Sequence, residues 1–412
     1  MDMPIRPILS TLRHHKAGAM LIAAQLALTL AVVCNALFVI HGRLDRMSRE
    51  TGIAESDIMM VNNRWVAPLS DIPARQSADI ATVRALPGVA DAFITNAMPL
   101  VGASWQSGIR RTPTGPNIES RGIPIMFVDE HAVPTLGVKL VEGRNFRPEE
   151  VTRISESGSP DAAAIIVTRT LARKAFPDGG ALGKQIYIGS IGARPSTIIG
   201  IVDRLHSPQV FATNDDHWQD VILAPMRMTT KGGFLVARAQ PGQLPALMKR
   251  IPEALKAAST QRVIPQPHGV LSFTDLRQLA FRGDRGLAWM LGGISVVLLL
   301  VTAAGIVGLT SFWVGQRRRQ IGIRRALGAT RRDILLYFLT ENGLIAIAGI
   351  AVGIILALVL NRWMMSQFEI SRLNMFYLAG GILGLLGLGQ LAVLAPAIRA
   401  SHVPPVEATR TI

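Results

Sequence analysis

Cysteine is all but missing: Cys34 is the only one in 412 residues, and it lies inside an apolar run. The polar part of the chain therefore has no disulfide framework and must be stabilised by its own core. Charge is sparse and lopsided, at 17% of residues, with 28 acids against 43 Lys and Arg and a formal net charge of +15. At a mean hydropathy of +0.33, that balance fits a hybrid of lipid-embedded and water-soluble parts. Aromatics are few, and none is interleaved with the densest basic cluster, residues 315–333. Attraction to anionic lipid explains such a cluster without a nucleic-acid partner. No Walker A phosphate loop, no His-Glu-x-x-His and no Gly-x-Ser-x-Gly occurs, and the eight histidines are scattered. No catalytic, cofactor-binding or metal-ligating residue is assigned, and the chain is not expected to be an enzyme.

What it has instead is apolar length. A spanning helix needs roughly 20 mostly apolar residues, and the runs Ala17–Ile40, Leu287–Val314, Ile334–Leu360 and Phe376–Ile398 meet that length. The first is read as an uncleaved anchor, because it outruns the ~7–15-residue core of a secretory signal and is followed by His41-Gly42-Arg43. Arg317, Arg318, Arg319, Arg324, Arg325, Arg331 and Arg332 against the single acid Asp333 mark 315–333 as a cytoplasmic loop. The N-terminus (Arg6, Arg13, Lys16 against Asp2) and the tail (Arg399, Arg410) then also lie inside, and the connector 361–375, with Arg362, Arg372 and Glu369, lies outside. The expected organisation is a cytoplasmic segment 1–16, spans 17–41, 287–314, 334–360 and 376–398, a translocated domain 42–286, the loop 315–333 and a tail 399–412. The fold class is thus membrane α-helical with four transmembrane helices, plus a large α+β extracytoplasmic domain.

Within that domain, Asp57–Asn62 reads as a strand, Asp71–Leu86 as a helix closed by Pro87-Gly88, and Val89–Ala97 as a strand. The pattern recurs in Phe234–Ala239, a helix over Pro241–Ala258 and a Pro-interrupted strand Arg262–Leu271. Two β-α-β units flanking an insertion suggest a split ferredoxin-like, porter-like subdomain with a second subdomain inserted at about 100–230. In the insertion, Phe127–Glu150 predicts a short helix leading through Leu136-Gly137 to a strand and a Glu142-Gly143-Arg144 turn, and Ala163–Gly189 predicts a strand Ile165–Val167 and a helix Arg169–Phe176. The Gly180–Lys184 segment is a structural turn, since Asp178 and Gln185 stand where a phosphate loop needs Gly and Ser or Thr. Asp215-Asp216-His217 is read as an exposed turn and not a metal site.

Residues 316–328 predict a short amphipathic helix with Ile323, Ala326 and Leu327 at i, i+3 and i+4 and arginines opposite, stopped by Gly328. Thr330 and Asp333 form a capping-box pattern that starts the next helix. Gly349 with Gly353, and Gly380 with Gly384, have the small-xxx-small spacing that lets helices approach closely. Gln25, Asn35, Glu341 and Asn342 are polar positions inside apolar runs, with Gln25 and Asn35 expected to make interhelical hydrogen bonds.

The segments VDEHAVPTLGVKLVEGRNFRPEE, AIIVTRTLARKAFPDGGALGKQIYIG and STIIGIVDRL resemble the periplasmic core domain of MacB-type ABC permeases. IGIRRALGATRRDILLYFLTENG and APAIRASHVPPVEATR resemble the FtsX-like permease module of the same superfamily. The resemblance implies a bacterial inner-membrane permease subunit, working as a homo- or heterodimer, that transmits the motion of a separate cytoplasmic ABC ATPase to its periplasmic domain. It implies that ATP and Mg are bound by that partner and that Ile321, Gly322, Ile323, Arg324, Arg325, Ala326, Leu327 and Gly328 form the coupling element. Gln320 stands where relatives commonly have Glu. Export or efflux toward a periplasmic adaptor and outer-membrane channel is the leading expectation. Transmembrane signalling to a periplasmic partner and lipoprotein release are the alternatives.

Overall fold

A computed structural model of the chain describes residues 16–119, 122–155, 158–160, 162–189, 193–210, 217–368 and 372–404. Asp2, Arg6, Arg13, Asp215, Asp216, Glu369 and Arg410 lie outside the described residues. The chain divides into two compact units, Met1–Ser48 with Gly283–Ile412, and Arg49–Arg282. The first element, α1 (Lys16–Ser48), continues eight residues beyond the predicted apolar run that ends at Ile40.

The Arg49–Arg282 unit opens with β1 (Ile58–Trp65), α2 (Ile72–Arg84) and β2 (Val89–Thr95). Its insertion carries β3 (Trp105–Ser107), β4 (Ile109–Arg110), β5 (Ile123–Val128), α3 (Ala132–Leu136), β6 (Leu140–Gly143) and β7 (Thr152–Ser155). It continues with β8 (Ala164–Thr168), α4 (Arg169–Ala175), β9 (Gln185–Ile188), β10 (Pro195–Val202) and β11 (Ile222–Thr229). The unit closes with β12 (Gly232–Ala239), α5 (Leu244–Ala258), β13 (Arg262–Val263), β14 (Val270–Ser272) and α6 (Phe273–Ala280).

The two ends of this unit build one antiparallel sheet in the order β13-β1-β12-β2, the strand order of a split β-α-β fold. Met59, Val61, Ala92, Leu235 and Ala237 bury one sheet face against Val83 of α2 and Leu247, Ile251 and Leu255 of α5. The last three recur every fourth residue, so one helical stripe faces the sheet, and each contributes about 1.5–3 kcal/mol by leaving water. The predicted strand Arg262–Leu271 is two strands. Pro265 and Pro267 supply no N–H, so the chain leaves the edge of β1 after Val263 and rejoins it at Val270, pairing Arg64 with Val263 and Met60 with Leu271.

The insertion folds as a nine-stranded mixed sheet along β3-β5-β11-β8-β10-β9-β4, with β6 beside β10 and β7 beside β11. Every residue of β5 is buried, as a strand covered on both faces requires, and it pairs in parallel with β11. Ile125, Phe127, Ile165, Val167, Ile186, Ile198 and Ile222 form its core. The predicted Glu142-Gly143-Arg144 turn has a physical need for glycine: Gly143 has φ +76°, and a Cβ there meets Ile199 O at 2.1 Å.

The second stretch of the helical unit contains α7 (Arg282–Gln316), α8 (Arg318–Ala326), α9 (Arg331–Phe368) and α10 (Met375–Ser401). With α1, three of these give four helices long and apolar enough to cross a membrane. The shortest, of 27 residues, is about 40 Å long at ~1.5 Å per residue, more than the roughly 30 Å hydrocarbon core. The helix over the third apolar run extends past Leu360 to Phe368, so Arg362 stands on a helix and not in a loop. Inside the unit α1 is central: Ile22, Leu26, Leu30 and Cys34 are fully buried among residues of α9 and α10. By contrast, α7 leaves Trp289, Val297 and Leu300 exposed.

Candidate coupling site

Arg317 breaks the helix between α7 and α8 and turns its side chain inward, where Nη1 donates to Glu341 Oε1 at 3.0 Å and Oε2 at 2.9 Å. Both side chains are nearly inaccessible, at 8% and 3% exposure, so each charge depends on the other for what water no longer supplies. Ile321 and Gly322 bury the inner side of α8. Arg324 lies over the Tyr337 ring of α9 at 4.8 Å, and Arg325 donates to the backbone oxygens of Ser401 and Val403 at 3.0 and 3.2 Å, just past α10. Gly328, at φ +96°, ends the helix, with Gly328 N–H donating to Arg325 O and Ala329 N–H to Arg324 O. Thr330 and Asp333 then cap α9 reciprocally: Asp333 N–H donates to Thr330 Oγ1, while Thr330 N–H and Oγ1 donate to Asp333 Oδ2.

The consequence is a short helix tied at its base to α9, along its side to Tyr337, and at its end to the chain after α10. The stripe predicted as its apolar face points outward. Ile323 is 45% and Leu327 83% exposed, and Ala326 is exposed as well. The residue that faces inward is Ile321, because the turn at Arg317 sets the helix rotation and the bulk of the bundle lies on that side. Nor do the arginines form one solvated face: Arg317 and Arg325 are ties, Arg324 is exposed but lies on Tyr337, Arg331 meets His402 Nε2 at 3.3 Å, and Arg318, Arg319 and Arg332 are exposed. Gln320 is exposed beside them.

Residues 21–254 match the model of the MacB-like periplasmic core domain, more than half of the chain, and residues 292–405 match the FtsX-like permease C-terminal model. The chain belongs to the MacB/FtsX-like ABC permease family. It is 28% identical over 283 residues to the macrolide export ATP-binding/permease protein MacB of Chromobacterium violaceum, covering 66% of this chain and 41% of that one. A MacB protein of Paracoccus denitrificans, 22% identical, covers 98% of this chain and 58% of its own length. The uncharacterized ABC transporter permease YvrN of Bacillus subtilis is 24% identical over 69% of each chain. The chain thus spans about half the length of the MacB relatives it matches. The crystallised periplasmic region of MacB from Actinobacillus actinomycetemcomitans aligns over 57% of this chain and 97% of its own, with 13% identity and a TM-score of 0.35.

In this permease the two glycine pairs have different surroundings. A Cβ on Gly349 meets Ala23 O at 2.6 Å and one on Gly353 meets Ala27 Cα at 3.0 Å, so α9 approaches the α1 backbone there. A Cβ on Gly380 or Gly384 meets nothing within 4 Å; the close approach on α10 is Gly381, against Cys34 Sγ. Spacing alone cannot decide which face of an all-apolar helix is packed. Polar ties join the helices: Thr29 with Thr302 at 2.8 Å, Asn35 Nδ2 donating to Ala357 O at 3.1 Å, and Asn342 Nδ2 donating to Gly389 O at 3.1 Å. Gln25 packs on Gly305, where a Cβ meets its Oε1 at 2.6 Å. Arg43 pairs with the buried Asp284, joining α1 to α7, and Arg46 lies 3.9 Å from the same carboxylate.

The sequence reading named Glu341 without a partner and missed Arg317 as that partner. An acid inside an apolar helix requires a cation, and a helix-to-helix turn of arginines supplies one. It also missed the tie between the two subdomains of the periplasmic unit. Asp129, after β5, is buried and accepts from Arg227 Nη2 at 2.9 Å, with Arg84 at 4.0 Å; Arg84 in turn pairs with Asp91 at 3.0 Å, and Asp91 with His131 at 2.8 Å. Burial pushes the Asp129 carboxyl above its ordinary range against the attraction of Arg227. Burial likewise raises Asp79, opposed by its paired Arg262. Glu119, His217 and Asp220 converge within metal-ligand spacing, yet Lys174 Nζ lies 2.6 Å from Asp220, 2.9 Å from His217 and 3.7 Å from Glu119. The ammonium already serves the carboxylates, so these residues do not form a vacant ligand set.

Proposed function

We propose that the protein is the permease component that converts nucleotide-driven motion of a separate cytoplasmic ABC ATPase into motion of its periplasmic domain. The observation that carries this reading is α8: an apolar ridge of Ile323 and Leu327, exposed and ringed by arginines, on a helix clamped to α9 and α10 through Arg317, Arg324 and Arg325. A partner pushing on that ridge displaces the long helices with it, because the clamps leave α8 little freedom to move alone. The arginine excess sets α8 on the cytoplasmic side. In this reading ATP and Mg belong to the ATPase. A bundle of four spans argues for a second permease chain in the working unit.

Toward the periplasm, α1 and α7 run beyond their apolar cores to Ser48 and from Arg282, and the Arg43–Asp284 pair holds these extensions together. They form the stalk through which the stroke leaves the bilayer of the inner membrane. The stroke serves export of a periplasmic substrate; macrolides, the compounds named for the MacB relatives, are the first class to assay. Passage to an adaptor and an outer-membrane channel completes the proposal. Leu327→Asp tests the docking: it places a carboxylate at the 83%-exposed tip of the ridge. Membrane insertion is expected to persist while co-purification with the ATPase is lost, and undiminished association refutes the docking assignment.

A further inference from the structure

Beside α8 lies a cavity of about 310 Å³ whose wall is both charged and apolar. Arg317 and Arg324 line it together with the apolar Leu327 of the same stretch, and Ile334, Tyr337 and Phe338 line it from α9. The volume is at the lower end of the roughly 300–1,000 Å³ range of ligand sites. Two of the three charges on its wall are already spent. Arg317 is bound to Glu341, and Asp333 to Thr330. Arg324 has no carboxylate partner among the described residues, and its guanidinium lies over the Tyr337 ring, 4.8 Å from the centroid.

Position narrows the occupant. The membrane-length helix α9 begins at Arg331, so the cavity sits where a headgroup layer meets the first apolar turn. A ligand for this wall needs an anion for Arg324 and hydrocarbon for Ile334 and Phe338. Inorganic phosphate satisfies only the first need and a diacylglycerol only the second, while phosphatidylcholine has the diester but adds an ammonium that the surrounding arginines repel. Basic pockets between helices on the cytoplasmic side are suited to anionic lipid headgroups, and a guanidinium fork matches a phosphate diester. We propose that the cavity binds one anionic phospholipid of the inner leaflet, its phosphate on Arg324 and the start of its acyl chains against Ile334 and Phe338. The site so filled wedges lipid between α8 and α9. The proposal rests on the cytoplasmic placement of α8 argued above, and because Leu327 also lines the cavity its test reads lipid retention by the purified chain in the absence of the ATPase.

The test is native mass spectrometry of the purified full chain titrated with phosphatidylglycerol, with phosphatidylcholine of the same acyl chains, or with inorganic phosphate. One phosphatidylglycerol is expected to be retained, with phosphatidylcholine bound more weakly. Arg324→Gln is expected to weaken retention about fivefold or more, the effect of one basic residue at an anionic surface. Arg332→Gln removes an equal charge from an exposed position outside the cavity and is expected to change it by less than about twofold. Ala329→Phe keeps every charge and fills the cavity, and is expected to match Arg324→Gln. Equal retention of the two lipids, equal effects of Arg324→Gln and Arg332→Gln, or displacement of phosphatidylglycerol by millimolar phosphate overturns the proposal. If Ala329→Phe does not fold, the two arginine variants, compared as monodisperse preparations, still decide it.

Discussion

Replacing Glu341 by Gln keeps the side chain's shape and one acceptor but strands the Arg317 guanidinium in a place with almost no water. The two groups meet at 2.9 to 3.0 Å with 3% and 8% side-chain exposure. Unit charges about 4 Å apart interact by roughly 4 kcal/mol at an effective dielectric constant near 20, and removing one member of a buried pair costs about 3–5 kcal/mol. At ~1.4 kcal/mol per decade, the closed arrangement of α8 on α9 loses roughly two to three and a half decades of preference. Hydrogen exchange of the purified chain reads this directly: amides of Arg318–Ala326 are expected to exchange at least about a hundredfold faster in Glu341→Gln, with α10 amides little changed. The double variant Arg317→Gln with Glu341→Gln leaves no orphan charge and is expected to recover most of the protection. A single variant that exchanges within about threefold of the wild type, or a double variant as poorly protected as the single, refutes the view that this pair anchors α8.

Helix packing gives a paired prediction. Gly349→Leu drives a side chain into the α1 backbone at Ala23 and is expected to lower stability in detergent by about 1–3 kcal/mol, whereas Gly380→Leu, which meets nothing, is expected to leave the melting temperature unchanged. The periplasmic unit gives a pH prediction. Because burial holds the Asp129 carboxyl above its ordinary range, the folded unit binds the proton more tightly than the unfolded chain does, so this residue's contribution weakens as pH rises from about 4 through the raised value. Hydrogen exchange of β5 and β11 is expected to show wild type losing protection relative to Asp129→Asn over that rise; a difference independent of pH contradicts it.

How much of this was legible in the sequence depended on which physical signal was local. The β-α-β pairs at the ends of the periplasmic unit were readable because the Pro87-Gly88 stop and the proline early in the 241–258 helix are local signals. The cap at Thr330 and Asp333, and the stop at Gly328, were readable for the same reason. The rotation of α8 was not: Ile321 and Ile323 are equally apolar, and only the position of the bundle, fixed through Arg317 and Glu341, makes the first buried and the second exposed. Likewise Gly349 and Gly380 sit in indistinguishable four-residue repeats, and what separates them is that α1 passes Gly349 and nothing passes Gly380. The Asp129 tie joins residues of α2, β2, β11 and the turn after β5, about 140 positions from Arg84 to Arg227, and no short-range pattern announces a contact of that span.

Whether an ATPase grips α8 from the cytoplasmic side is read most directly by one labelling experiment. Cys34 is the single native cysteine and is buried, so Leu327→Cys in a Cys34→Ala background carries one accessible thiol. A membrane-impermeant maleimide is predicted to label it in inverted vesicles and not in intact spheroplasts, and the label is predicted to be blocked when the ATPase is bound. Labelling from the outside, or labelling that the ATPase leaves undiminished, contradicts the account.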